Sequence, residues 1–374
     1  GSGKANGSSI ELTTKSLPEG NYTFFAKSTD PAGNSSSCST ASISYLLDLT
    51  PPNIPSGIAL KAPLASPGNN PKPTVVVSGV AQEETVEIFT ENSCKNLKGS
   101  GKSLGNTLEI TTEILPEGSY TFFAKSTDLA GNSSSCSSVS ASYLLDLTPP
   151  EKPSQLAFKD GVTSPGNVPE PVITVSGVEN WDTVELFLES SCENRTVFGL
   201  ATGKSIDLKL SSLKEGNYTF YAKSTDLAGN SSGCSTSSLS YLLDLTPPKV
   251  PNGLLLKSPS KSPGNKKNPE ITVNGVDTDE MIQIFSNSSC DDLKGMGTTV
   301  GKSIDILLNP LKDGKYSFYA MSTDLAGNSS ACSTNKVSYL LDTSPPDQPK
   351  NLKLKFPIKS PGNYNTPLIS VGGV

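Results

Sequence analysis

Gly118-Ser119-Tyr120-Thr121-Phe122-Phe123-Ala124-Lys125, continuing as Ser126-Thr127-Asp128-Leu129-Ala130-Gly131-Asn132, is the stretch that decides the fold. Tyr120, Phe122 and Ala124 fall on one face of an extended chain, and Thr121, Phe123 and Lys125 on the other. That is the period-two pattern of a half-buried strand. Asp128 to Asn132 then breaks the pattern, and Gly131 supplies the positive φ of a tight hairpin. Upstream, Leu115-Pro116-Glu117-Gly118-Ser119-Tyr120 has the form of a tyrosine corner, in which the ring sends its hydroxyl back to the preceding loop. A strand entered by a tyrosine corner and left by a hairpin is strand F of an immunoglobulin-like sandwich.

The same stretch returns every 98 residues without an insertion or deletion. Asp48-Leu49-Thr50-Pro51-Pro52 returns at Asp146 and Asp244, and as Asp342-Thr343-Ser344-Pro345-Pro346; Ser66-Pro67-Gly68-Asn69 returns at Ser164, Ser262 and Ser360. A period of this length is one small β domain, not a helical solenoid unit. The expected organisation is the C-terminal part of a repeat over 1–50, complete repeats over 51–148, 149–246 and 247–344, and the N-terminal part of another over 345–374. Gly1-Ser2-Gly3-Lys4 is in phase with Gly99-Ser100-Gly101-Lys102, so the chain reads as a window cut from a longer polypeptide.

Around strand F, copies compared at equal phase predict the other strands. Val75, Ile173, Ile271 and Ile369 share one inward position, and Val77, Val175, Val273 and Val371 the next. Ile58 to Lys61 reads as an edge strand; Pro71 and Pro73 delay pairing until Thr74. Val86 and Ile88, then Leu108 and Ile110, mark two further strands, and strand G is expected over Ser134 to Leu147. The fold class is all-β, a tandem array of immunoglobulin-like β-sandwich domains.

Seven cysteines alternate at spacings of 56 and 42: Cys38, Cys94, Cys136, Cys192, Cys234, Cys290 and Cys332. Two per domain at fixed phase read as a disulfide framework in an oxidising compartment. Pairing inside each domain gives Cys94–Cys136, Cys192–Cys234 and Cys290–Cys332, and leaves Cys38 with a partner before the window. The alternative is a bond between neighbouring domains or chains. A zinc site lacks both histidine and a Cys-x-x-Cys spacing.

Histidine is absent, which removes Ser-His-Asp and Cys-His catalysis. No residue cluster is unique to one copy, so no enzyme is expected within the chain; Trp181 is the one oddity and reads as a surface substitution. The net charge of −6 is spread thinly with no basic face, against nucleic acid, and no apolar run is long enough to span a bilayer.

The pattern Gly-x-Tyr-x-Phe-x-Ala-x-x-x-Asp-x-Ala-Gly-Asn, ending in Asp-x-x-x-Pro, resembles the bacterial immunoglobulin-like repeats of giant surface adhesins, over essentially the whole chain. The resemblance implies an extracellular, cell-surface stalk or fibre, often stiffened by calcium at domain junctions. The cysteine pair sets this chain apart from many such repeats. The implied partners are neighbouring repeats, other fibres and a host or cell-surface receptor. Two other functions compete: a filament subunit completed by strand exchange between chains, and an accessory stalk of a surface enzyme.

Calcium at the junctions points to Asp48, Asp128, Asp146, Asp226, Asp244 and Asp324. The Asp ending one repeat is expected to approach the Asp of the next repeat's F–G hairpin, Asp146 with Asp226 and Asp244 with Asp324. The plainer reading is that each Asp bonds its own turn amides. Thr148-Pro149-Pro150 fixes φ twice and resists bending with or without metal. Lateral contact points to the outward pairs Phe89 with Phe123, Phe187 with Tyr221, and Phe285 with Tyr319; the plainer reading has Lys95 to Gly105 folding over them. Asn132-Ser133-Ser134 and Asn217-Tyr218-Thr219 fit the glycosylation acceptor pattern, but serve turns in a bacterial repeat.

Overall fold

The computed structural model describes residues 1–373 and is all-β. The first partial repeat holds β1 (Gly20–Phe24) and β2 (Ile43–Leu47). The first complete repeat holds β3 (Gly57–Ala62), β4 (Thr74–Ser78), β5 (Thr85–Phe89), β6 (Leu97–Lys102), β7 (Thr107–Thr111), β8 (Gly118–Thr127) and β9 (Ala141–Leu145). The second holds β10 (Gln155–Phe158), β11 (Val172–Ser176), β12 (Thr183–Phe187), β13 (Arg195–Leu200), β14 (Ser205–Lys209), β15 (Gly216–Thr225) and β16 (Leu239–Leu243). The third holds β17 (Gly253–Ser258), β18 (Glu270–Asn274), β19 (Met281–Phe285), β20 (Leu293–Thr298), β21 (Ser303–Leu307), β22 (Gly314–Thr323) and β23 (Val337–Leu341); β24 (Asn351–Phe356) and β25 (Leu368–Gly372) follow.

Two compact units divide these residues. One comprises Gly1–Gln155, Val175–Ile206 and Tyr221–Ser237; the other comprises Leu156–Thr174, Asp207–Phe220 and the chain from Ser238 onward. The division passes through the second complete repeat, so the core is described from the first and third.

In the first repeat a three-stranded sheet, β3-β4-β7, faces a four-stranded sheet, β6-β5-β8-β9. The third repeats this as β17-β18-β21 and β20-β19-β22-β23. The named strands of these two repeats pair antiparallel, with Val75 opposite Ile110 and Ile88 opposite Ala124. The inward positions meet in one core of Val75, Val77, Val86, Ile88, Ile110, Phe122, Ala124, Tyr143 and Leu145, with Leu115 and Val80 at its ends. Burying each Val, Ile, Leu or Phe side chain contributes about 1.5–3 kcal/mol, so the alternation itself selects the register. The third repeat's core uses Ile271, Val273, Ile282, Ile284, Phe318 and Tyr339 at equivalent positions.

One expectation is corrected and one strand is added. Strand G is only Ala141–Leu145, not Ser134 to Leu147. Along 134–137 hydroxyls take the place of ladder carbonyls: Ser126 N–H donates to Ser134 Oγ and Ala124 N–H to Ser137 Oγ, both at 3.0 Å. Serine can satisfy a neighbouring strand in this way without being a ladder residue. The segment from Lys95 to Gly105, read from sequence only as a stretch that folds over the outward aromatics, contains edge strand β6, whose register against β5 slips by one residue at Phe89. Gly99 and Gly101 hide this strand from a propensity reading. They are needed because a methyl on Gly99 would stand 3.0 Å from Ile110, and one on Gly101 3.1 Å from Leu108.

Candidate functional site

The sites that repeat with the fold are the junctions, and they are built from the recurring motifs. The F–G turn comes first. Asp128 N–H donates to the Asn132 carbonyl at 3.0 Å, and Gly131, at φ 93°, donates to the Asp128 carbonyl at 3.2 Å. The Asp128 carboxylate accepts the Asn132 backbone N–H at 2.9 Å and its side-chain Nδ2 at 3.0 Å. Burial works to raise the Asp128 carboxyl. Hydrogen bonds from Asn132, Ala130 and Gly131 outweigh it and hold the group below its ordinary value.

The second Nδ2 proton of Asn132 crosses the junction to the backbone carbonyl of Asp48, at 3.0 Å. Asn230 does the same to Asp146 and Asn328 to Asp244, both at 2.9 Å. One amide thus clasps the turn aspartate of its own repeat and the last strand of the repeat before. A second contact joins two other motifs. A methyl on Gly229 would stand 3.4 Å from the side chain of Asn69, and one on Gly327 3.4 Å from Asn167.

The linker is anchored on its own repeat. Thr148 Oγ1 donates to the Glu117 carboxylate at 3.0 Å, and Thr148 N–H to Asp146 Oδ1 at 3.0 Å. Glu215 holds Thr246 in the same way at 2.9 Å, and Asp313 holds Thr343 at 2.8 Å. With two prolines following, the chain leaves each repeat along one path.

Strand G is fixed by the other recurring motif. Gly68 N–H donates to the Leu144 carbonyl at 3.0 Å, and Asp146 N–H to the Gly68 carbonyl at 3.1 Å, forming a short parallel bridge. Tyr143, 1% exposed, donates its hydroxyl to the Asn70 carbonyl at 2.9 Å and accepts the Asn70 N–H at 3.1 Å. Burial raises its pKa. Gly68 leaves little room for a side chain here, since a methyl would stand 2.6 Å from Pro63 and 3.1 Å from the Tyr143 ring. Tyr241 and Tyr339 bond Val168 and Lys266 alike. Sequence reasoning missed this tyrosine; the available signal was its fixed distance from Ser-Pro-Gly-Asn.

The tyrosine corner is present in every copy. Tyr120 donates to the Pro116 carbonyl at 2.5 Å, Tyr218 to Lys214 at 2.7 Å and Tyr316 to Lys312 at 2.8 Å. The disulfides are Cys94–Cys136, Cys192–Cys234 and Cys290–Cys332, each with Cα atoms 5.8 Å apart. Cys38 is free and exposed.

The paired aspartates meet through the clasp. Asp146 and Asp226 share Asn230, Asp244 and Asp324 share Asn328, and Asp48 and Asp128 share Asn132. Each carboxylate also accepts an N–H of its own turn. Among the described residues no three His, Cys, Asp or Glu side chains gather as metal ligands. A calcium ion takes six to eight oxygens; beside the clasp, one cavity is lined by Glu215, Asp244, Asp277, Glu280 and Asp324, and another by Asp48, Glu83, Glu84 and Asp128.

The outward aromatic pairs lie side by side in register, Phe89 with Phe123, Phe187 with Tyr221 and Phe285 with Tyr319. They do not form the exposed face expected for lateral contact. Phe89, Phe187 and Phe285 are only 4%, 2% and 4% exposed, and their partners are half-buried. The one-residue slip at Phe89 and the return of the chain as β6 account for the difference. Trp181 is half exposed at φ 75°. Asn132 spends both amide protons, so a glycan there breaks the clasp; Asn217 is exposed.

No family model and no curated protein matches the chain. Among solved structures, it is similar to the FN1–FN3 domains of chicken CNTN1, at 14% identity over 78% of this chain and 99% of that chain, TM-score 0.37. It is also similar to the fibronectin(III)-like modules of Clostridium thermocellum CbhA, at 14% identity over 50% and 94%, TM-score 0.32. A third similarity is to the BSP domain of a biofilm associated protein, at 10% identity over 78% and 68%, TM-score 0.20. The fold assignment rests on the strand pairing described above.

Proposed function

We propose that this chain is a stretch of a stiff, disulfide-stabilised extracellular stalk or fibre of the bacterial surface-adhesin kind, whose repeats set reach rather than perform chemistry. The observation that carries this reading is the clasp. The same amide-to-carbonyl bond recurs at three junctions with the same 84-residue separation, at 3.0, 2.9 and 2.9 Å. Such a bond holds a repeat to the one before it, and the anchored Thr-Pro-Pro or Ser-Pro-Pro linker removes the alternative exits. Three disulfides belong to an oxidising compartment. Among the described residues no helix is long and apolar enough to cross a membrane.

Stability in such an array is local to each repeat and its neighbours, so copies can be added without altering the fold. The partners proposed are the neighbouring repeats, with other fibres or a surface receptor reached at the stalk's end. Stiffness here needs no calcium; a titration that sharpens the junction only when calcium is added counts against the clasp. Mass analysis of the native material under reducing, denaturing conditions tests the finer claim. A band far above 39.1 kDa supports a giant chain, and one at 39.1 kDa supports a filament subunit instead.

A further inference from the structure

Two buried hydroxyls among the described residues have no hydrogen-bond partner: Thr112 Oγ1 in the first complete repeat and Ser224 Oγ in the second. Each follows from one difference between the copies. Ser126, Ser224 and Ser322 occupy the same position on strand F and are all fully buried. Ser126 donates to Glu84, and Ser322 to Glu280 at 2.6 Å. In the second repeat the acid is Asp182, 3% exposed and one methylene shorter. Its Oδ2 accepts the Glu179 N–H at 3.0 Å, and Ser224 is left without an acceptor. In the third repeat the longer Glu280 serves both groups, taking the Asp277 N–H at 3.1 Å as well as Ser322.

Thr112 is the second case. It is 4% exposed and stands where the other copies have Leu210 and Leu308. A hydroxyl in that apolar slot loses its water and gains nothing, and the site also loses apolar volume. The third repeat carries neither defect.

We propose that the array is graded, with the first and second complete repeats opening before the third. The use of that order, successive extension under tension, rests on the stalk reading; the order itself does not. Tension acts equally on repeats in series, so the least stable opens first. The disulfide then limits the length released. With Cys192–Cys234 intact, 56 of the 98 residues are free to extend, about 190 Å at roughly 3.4 Å per residue. With it reduced the whole repeat extends, to about 330 Å.

Hydrogen exchange by mass spectrometry on the full oxidised chain tests the order, because peptides from β8, β15 and β22 differ in sequence. After correction for intrinsic rates, the slowest amides of β8 and β15 should exchange about five- to a hundredfold faster than those of β22, the range for one buried unpaired hydroxyl. Thr112→Leu and Asp182→Glu should each slow their own repeat alone, and Glu280→Asp should speed the third. Ser224→Ala removes the unpaired group without lengthening the acid and should also slow the second repeat. Equal or faster exchange in the third repeat overturns the proposal, as does unchanged protection in Thr112→Leu, Asp182→Glu and Ser224→Ala. These readings are made at zero load, so they stand apart from the mass test of the stalk.

Discussion

Asn230→Ala removes one side-chain amide that holds two repeats. Its Nδ2 donates to Asp226 Oδ2 at 3.1 Å and to the Asp146 carbonyl at 2.9 Å. A bond to a carboxylate contributes about 1.5–3 kcal/mol when buried and one to a neutral carbonyl about 0.5–1.5 kcal/mol. Asn230 is only half-buried, so water recovers part of both. About 1.5–2 kcal/mol is expected in total, split between the F–G turn and the junction. For a repeat of this size that lowers the unfolding midpoint of the second repeat by roughly 6–16 °C. The backbone bond from Asn230 N–H to Asp226 survives, so the turn still forms. Calorimetry of the full chain reads the first effect. Residual dipolar couplings read the second, as loss of a common alignment between the first and second repeats. Asn230→Asp keeps the volume but sets a carboxylate beside Asp226, and should be worse than alanine on both. Retained alignment in both variants refutes the clasp as the source of junction stiffness, even if the midpoint falls.

Replacing Cys290 and Cys332 with serine reopens a loop of 42-residue separation and should cost about 4 kcal/mol in the chain-entropy description, read as earlier denaturant unfolding of the third repeat alone. Tyr143→Phe strands both Asn70 backbone groups and should cost about 1–3 kcal/mol; Tyr120→Phe, on a half-buried ring with one bond, should cost less in the same chemical melt. Acid should weaken the first repeat through Asp128. Its folded carboxyl lies below the ordinary aspartate value, so the stability it gives is complete above the unfolded value and is lost as pH falls through the folded one. Melts between about pH 2 and 5 should show this loss, and Asn132→Ala should shrink it.

How much of this was legible depended on whether a position speaks through side-chain burial or through backbone satisfaction. Val75, Val77, Val86, Ile88, Phe122 and Ala124 alternate with polar neighbours, and all are buried as the alternation implies. The tyrosine corner was legible because proline and glycine flank Tyr120. Strand β6 was not, because Leu97-Lys98-Gly99-Ser100-Gly101-Lys102 has poor strand propensity and owes its glycines to close approach by Ile110 and Leu108. The extent of strand G was misread because serine hydroxyls imitate ladder carbonyls. At the junction, pairing Asp146 with Asp226 located the place, but not the amide that joins the two. Asn230, two residues beyond Leu-Ala in the same motif as Asp226, carries the contact, and only coordinates show which neighbour an amide reaches.

The central claim is that hydrogen bonds, not a metal, hold successive repeats in one geometry. Pulsed electron–electron distance measurement between non-cysteine spin labels at exposed Ser100 and Ser205 tests it most directly. One narrow distance peak in excess chelator, unchanged when calcium is added, is the expected result. A broad distribution in chelator that collapses to a narrow peak only with calcium contradicts it.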